Sequence, residues 1–271
     1  GTTKTVNVLT AGASNVNAFV GTGNPDSNDD GRFDLSDDPA AGGAIGLAIT
    51  DLDFGLAFFK PVAVADNSSY YAFKAEASGI DLVGVPGVIL SADNLTVSVN
   101  GATAPATGGA TPTGPPVINF TSALSSFGES GFSVGTGEGQ DPVTLDMTDR
   151  MIAASGNATL GLDFTADGVP EISLTSFLSF ELSYRPNGSQ IIKVAATNLS
   201  FILGDPADPV FEFSGLSGFF VITQQGMAAR IEVSGYGLNF SGGGADLAIS
   251  GDIAVEINTT NQDIDETFVI D

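Results

Sequence analysis

The chain has 271 residues, 42% of them apolar, and carries 32 Asp and Glu against 8 Lys and Arg, for a formal net charge of −24. The apolar share excludes disorder as the overall state and allows one large domain or two ordinary ones. Cys, His and Trp are all missing, which excludes disulfides, thiolate and imidazole metal sites and His-based triads; the acidic excess excludes nucleic acid and anionic lipid as partners.

The chain opens at Gly1 without a signal peptide and reads as a processed chain or excised fragment. Val6, Val8 and Leu9 look like the start of a strand. Residues 26–37 then read DSNDDGRFDLSD. Asp26, Asn28, Asp30, Asp34 and Asp37 occupy positions 1, 3, 5, 9 and 12 of a calcium loop of the EF-hand and dockerin type. Gly31 supplies the sharp turn at position 6, Arg32 offers its carbonyl at position 7, and Phe33 is expected to face inward as an anchor. Ca²⁺ is the expected ion, because alternate oxygens on a curled loop converge on one point. Asp37 stands where Glu is commoner, and Pro25 and Pro39 leave no room for the usual flanking helices. The plainer reading of the same loop is a solvated acidic turn.

Further on, Asp51 and Asp53 alternate with Leu52 and Phe54, which puts both carboxylates on one strand face: a second ion site, an acid/base pair or, by default, a wet sheet face. Residues 101–116 (GATAPATGGATPTGPP) read as a linker or long loop. Gly135-Thr136-Gly137-Glu138-Gly139 lacks the Lys-Ser/Thr of a phosphate loop and reads as a turn. In 172–184 the even positions Ile172, Leu174, Leu178, Phe180 and Leu182 make a dry face, opposite Ser173, Thr175, Ser179, Glu181 and Ser183. Turn signals follow at Asn187-Gly188, Asp205-Pro206, Gln225-Gly226 and Gly242-Gly243-Gly244, separating long strands. In 227–241 the apolar positions shift by one residue after Ser234-Gly235, which marks a β-bulge. The last strand, 245–258, points Leu247, Ile249, Ile253, Val255 and Ile257 inward. The Asn-x-Ser/Thr sequons follow from composition, and the Phe side chains read as core.

The first third resembles the last. Ala13–Val16 matches Ala196–Leu199, Phe54–Phe59 matches Leu216–Val221, Ala77–Leu82 matches Val233–Leu238, and Leu95–Asn100 matches Ile253–Asn258. The expected fold is all-β: long antiparallel meander strands bent by β-bulges, forming a two-layer sandwich or half-barrel with internal duplication. Residues 1–104 form a first β-repeat with the calcium loop inserted at 21–46; 105–140 form a Gly/Pro/Thr-rich linker and loop; 141–271 form a second β-repeat.

The stretches GASNVNAFVGTG, GLAITDLDFGLAFFKP, GLSGFFVITQQGMAARIEVSG and AVEINTT resemble the tandem β-strand repeats of very large, adhesin-like bacterial secreted and cell-surface proteins. That resemblance implies a secreted or cell-surface location and a structural or adhesive role, without enzymatic activity. Neighbouring copies of the same repeat or protomer are the expected partners, with no membrane insertion. Two alternatives stand beside it. The chain is a protomer of an extracellular filament built by β-strand addition, or it is a glycan-binding module or hydrolase meeting surface glycans.

Overall fold

Runs of β-branched and aromatic residues alternating with polar ones are satisfied by extended chain, which alone sends successive side chains to opposite sides. The computed structural model describes residues 4–103, 117–124, 130–185, 189–242 and 245–268. Within them lie the strands β1 (Val6–Thr22), β2 (Ile45–Pro61), β3 (Ser69–Val83), β4 (Val88–Thr103), β5 (Phe132–Val134), β6 (Val143–Leu145), β7 (Met151–Leu162), β8 (Ile172–Tyr184), β9 (Gln190–Asp205), β10 (Asp208–Thr223), β11 (Gly226–Gly242) and β12 (Ala245–Asn258), with one short helix, α1 (Phe120–Leu124). Ten strands form one sheet in the order β1-β2-β3-β4-β7-β8-β9-β10-β11-β12, and β5 and β6 form a separate hairpin. Every neighbouring pair is antiparallel. The all-β meander of long strands is therefore as expected. It is a single layer, and the second layer expected of a sandwich is present only locally.

Bulges cross this sheet in a line. Asn15, Asp51, Asn94 and Asn198 take left-handed backbone angles in mid-strand (φ 54°, 52°, 54° and 54°), a conformation Asn and Asp tolerate better than other side chains. Register shifts mark the same level in β1, β4, β9, β10 and β11. Between β7 and β8 the register runs without interruption.

These bulges decide which way the apolar side chains point. In the straight strands β7 and β8, Ile152, Leu160, Leu174, Leu178, Phe180 and Leu182 are all even-numbered and share one side of the sheet. Below the bulge line, pairing from these strands leads to Val97, Val99, Phe73, Leu56, Phe58 and Leu9 in one direction, and to Ile192, Val194, Phe220, Ile222, Ile257 and Val255 in the other. Above it the same side carries Leu90, Leu82, Leu47 and Val20, then Phe201 and Leu203. The apolar parity changes in each bulged strand, and the extra residue restores every apolar side chain to one continuous face.

The expected dry face of 172–184, and Val255 and Ile257 of the 245–258 face, thus fall on this side, yet they lie open. Leu178, Phe180, Val255 and Ile257 are each more than a third exposed. Among the described residues, fifteen of the twenty-two large apolar side chains exposed to this degree lie on this side. The other side carries the charges: Lys74, Glu76, Glu181, Lys193, Arg230, Glu232 and Glu256, joined by ion pairs such as Lys193–Glu181 at 3.1 Å and Arg230–Glu256 at 3.5 Å. Away from strand ends, no charged side chain of the described strands falls on the apolar side.

Burial is concentrated where residues 117–124 and 130–147 cover the charged side of β1–β4. Phe120, Val134 and Leu145 pack on Phe59, Tyr70, Ala57, Ala72 and Ala102, with Phe120 and Phe132 ring centroids 5.7 and 5.4 Å from Phe59. Gly12 and Gly55 pair across β1 and β2 beneath the hairpin. A Cβ on Gly12 would lie 2.6 Å from the Gly135 carbonyl oxygen, so bare backbone is what admits the hairpin. Asn100, 1% exposed, clamps the cover by donating to the Ile118 and Asp149 carbonyls at 2.8 and 2.9 Å. Of the expected linker, residues 104–116 and 125–129 lie outside the described residues, while 117–124 and 130–140 belong to this packed cover.

The pairing supports the duplication and adjusts it. Val16, Leu52, Ala77 and Leu95 are register partners in sequence across β1–β4; Leu199, Leu216, Val233 and Ile253 are the same across β9–β12. Leu216 therefore corresponds to Leu52, two residues from its sequence match, because hydrophobic runs of period two align equally well at either offset. The hydroxyls of Ser14 and Thr197, equivalent in the two units, are both shut from solvent without a hydrogen-bond partner. Both units belong to one sheet, bridged by β7 and β8.

Two substitutions test the cover. Phe120→Ala is expected to cost about 3–5 kcal/mol in equilibrium denaturation, as for other buried Phe truncations. Asn100→Ala, which removes two hydrogen bonds to the Ile118 and Asp149 carbonyls, is expected to cost about 1–3 kcal/mol; losses below about 0.5 kcal/mol in both would show that residues 117–124 and 130–147 do not pack as described.

Candidate functional site

The six expected ligands lie in the β1–β2 connection, residues 23–44. The corresponding β9–β10 connection is only Pro206 and Ala207, so the acidic loop is an addition to one unit. It is seated by Phe33, whose ring meets Phe19 of β1 edge-on at 6.1 Å. Strands flank the loop instead of helices.

Its backbone is curled by its own side chains. Asp26 accepts from the Asp30 and Gly31 N–H groups at 3.2 and 2.8 Å. Asn28 Oδ1 accepts from the same Asp30 N–H at 2.9 Å, and Asp30 accepts from the Arg32 N–H at 2.9 Å. Gly31 sits at φ 87°, where a side chain would be strained. Asp34 accepts from the Ser36 N–H and hydroxyl. Asp37 closes the ring, with Oδ1 on the Ser27 and Asn28 N–H groups and Oδ2 on the Asp34 N–H at 2.9 Å.

Asp26 and Asn28 are thus gathered on one N–H group, with Asp30 beside them. Asp34 and Asp37 are turned to N–H donors of their own. Among the described residues no three acidic side chains converge as a metal-binding cluster. The donors are hard oxygens suited to Ca²⁺, with Arg32 entering through its carbonyl alone. Ser27 and Ser36, which sequence spacing passed over, help close the loop: the Ser27 hydroxyl accepts from the Asp38 N–H at 2.8 Å, and Asn28 Nδ2 donates to the Ser36 hydroxyl at 2.9 Å.

Asp51 and Asp53 do not form a pair with open space between them. Asp53 accepts from the Asn15 N–H at 2.8 Å, and Asp51 accepts from the Ser78 hydroxyl at 2.8 Å. Both brace the bulge line. A cleft of about 600 Å³ opens between β10–β12 and residues 264–268. Its Glu side chains are held by cations: Glu232 and Glu256 by Arg230, and Glu266 by Arg185 at 2.8 Å. These ion pairs tie the carboxylates to neighbouring strands and to the C-terminal segment, a bracing arrangement.

The loop's carboxylates give it an acid limit. The Ser36 hydroxyl and N–H hold Asp34 below the ordinary carboxylate range, and the Asp34 N–H, opposed by burial and helped by Ser27 and Asn28, does the same for Asp37. A carboxyl whose folded-state pKa is lowered adds stability above its unfolded value and loses it as pH falls through the folded one. The amide resonances of Ser27, Asn28, Asp34 and Ser36 are therefore expected to hold steady above about pH 5 and to move together below about pH 4. No family model, curated protein or solved structure matches the chain.

Proposed function

We propose that the chain is a structural segment of an extracellular bacterial surface or secreted protein, with its acidic loop ordered by Ca²⁺ and no catalytic role. The observation that carries this reading is the single sheet extending through both related units. Ten strands at about 4.8 Å spacing span roughly 43 Å, a construction suited to covering distance and presenting faces. The sequence resemblance to tandem repeats of adhesin-like proteins agrees with it, as does a net charge of −24, which keeps such a segment soluble and attracts divalent cations.

In this reading Asp26, Asn28, Asp30, Asp34 and Asp37, with the Arg32 carbonyl, hold the ion. The cation offsets repulsion among carboxylates confined to one loop, and stability rises with free Ca²⁺ beyond its dissociation constant. At one hundred times that constant the gain is about 2.7 kcal/mol. The melting temperature is expected to rise with millimolar Ca²⁺ over EGTA, and the difference to vanish in an Asp26→Asn, Asp30→Asn double variant. Coincident wild-type melts would discard the calcium assignment. Antibody labelling of intact source cells tests the location; signal only after lysis would overturn the surface role.

A filament protomer is the second reading, favoured by the open outer edges of β1 and β12. The even number of antiparallel strands lets β12 of one copy meet β1 of the next in the same alternation, a head-to-tail contact that does not close. This second reading requires fibres in electron micrographs of concentrated protein, shortened by Thr10→Pro on the β1 edge; dispersed particles without fibres would retire it.

A further inference from the structure

We propose that the apolar side of the sheet is the interface at which two copies of this chain pack face to face, completing between molecules the sandwich that one molecule lacks. The inference goes beyond the structural role above and rests on the sheet alone, so it stands or falls independently of Ca²⁺ and of cellular location.

Three observations point to a second copy. The first is area. The chain exposes 15681 Å², against about 10,900 Å² for a compact monomer of 27.4 kDa. Facing sheets roughly 43 Å by 40–50 Å would remove about 2,000 Å² from each copy, about 4,000 Å² in all, which is the size of an obligate interface and close to half of each copy's excess of about 4,800 Å².

The second is charge. A chain of net charge −24 repels its own copies through most of its surface. Here the strand charges are gathered on the opposite side, where Arg230, Lys193 and Lys74 pair with Glu232, Glu181 and Glu76. Away from strand ends the apolar side, among the described residues, offers no charge for a differently charged partner to complement. It lets identical copies approach without repulsion, and a twofold contact needs only this one patch.

The third is distribution. The exposed apolar residues are not scattered, as they are on ordinary surfaces. Leu47, Leu90, Leu160 and Leu174 form one row across the sheet, each between 36% and 44% exposed. Bulges in β2, β4 and β9 keep such rows in line. Two twisted sheets bring rows of this kind together about 10 Å apart, at a crossing angle of about 30°.

Sedimentation velocity of the full chain from about 1 to 100 µM, with and without a non-ionic detergent, tests the proposal. The expected result is a discrete dimer. Leu160→Glu and Leu178→Glu, each placing a carboxylate mid-face where the side chain is solvent-accessible in one copy, are expected to raise the dimer dissociation constant at least about a hundredfold with an unchanged β-type circular dichroism spectrum. Asn157→Asp, on the charged side, is expected to leave it unaltered. Should either Glu variant misfold, the wild-type mass still decides. A wild-type monomer at 100 µM, dimers indifferent to the Glu substitutions, an open-ended polymer, or a monomer that takes up detergent or phosphatidylcholine vesicles in place of a second copy would each overturn the proposal.

Discussion

The constraint that organises this molecule is geometric: apolar side chains on ten paired strands must reach the same side of one sheet. Alternation achieves this only while strands run straight. Where the sheet bends, each bulged strand gains one residue, and an uncorrected pattern would turn half its apolar residues onto the charged side. In β9, Ile192 and Val194 are even-numbered and Phe201 and Leu203 odd, with Asn198 at φ 54° between them. The sequence changes parity where the backbone does. Pattern and backbone agree across both units, as expected of a chain whose local choices all serve one structure.

Stability follows from how the two sides are used. On the charged side, residues 117–124 and 130–147 supply a core where Phe59, Phe120 and Leu145 are almost wholly buried. Glycines at 12 and 55 allow the approach, and Asn100 ties the cover down. Farther along, cross-strand ion pairs and the C-terminal segment, with Phe268 on Phe219 at 5.2 Å, do a weaker version of the same work. The apolar side lacks any such cover among the described residues. Its hydrophobic area is left uncommitted among the described residues and available to drive association.

Much of this was legible from residues alone. Period-two alternation in 172–184 and the parity change after Ser234-Gly235 foretold long bulged strands, and the four ordered matches foretold the related units. What the pattern could not convey is what an apolar face meets. Leu178 and Phe180 read as core because alternation reports sidedness and not coverage. The role of 117–124 and 130–147 was hidden because their packing depends on glycines in distant strands. The loop was legible as an oxygen-rich turn, but spacing does not say which carboxylates face one another; Asp34 and Asp37 bond backbone N–H groups instead.

Single cysteines can be placed one at a time to report the sidedness of each strand position, since the native chain has no Cys. Nitroxide labels on β8 and β9 would report, by their collision rates with an apolar and a charged quencher, which side each position occupies. The account places positions 174, 178 and 182 with 192, 194, 201 and 203, the shared side crossing from even to odd numbering at Asn198. Labels at 201 and 203 grouping with 175 and 179 would contradict it, and the continuous apolar face would be lost.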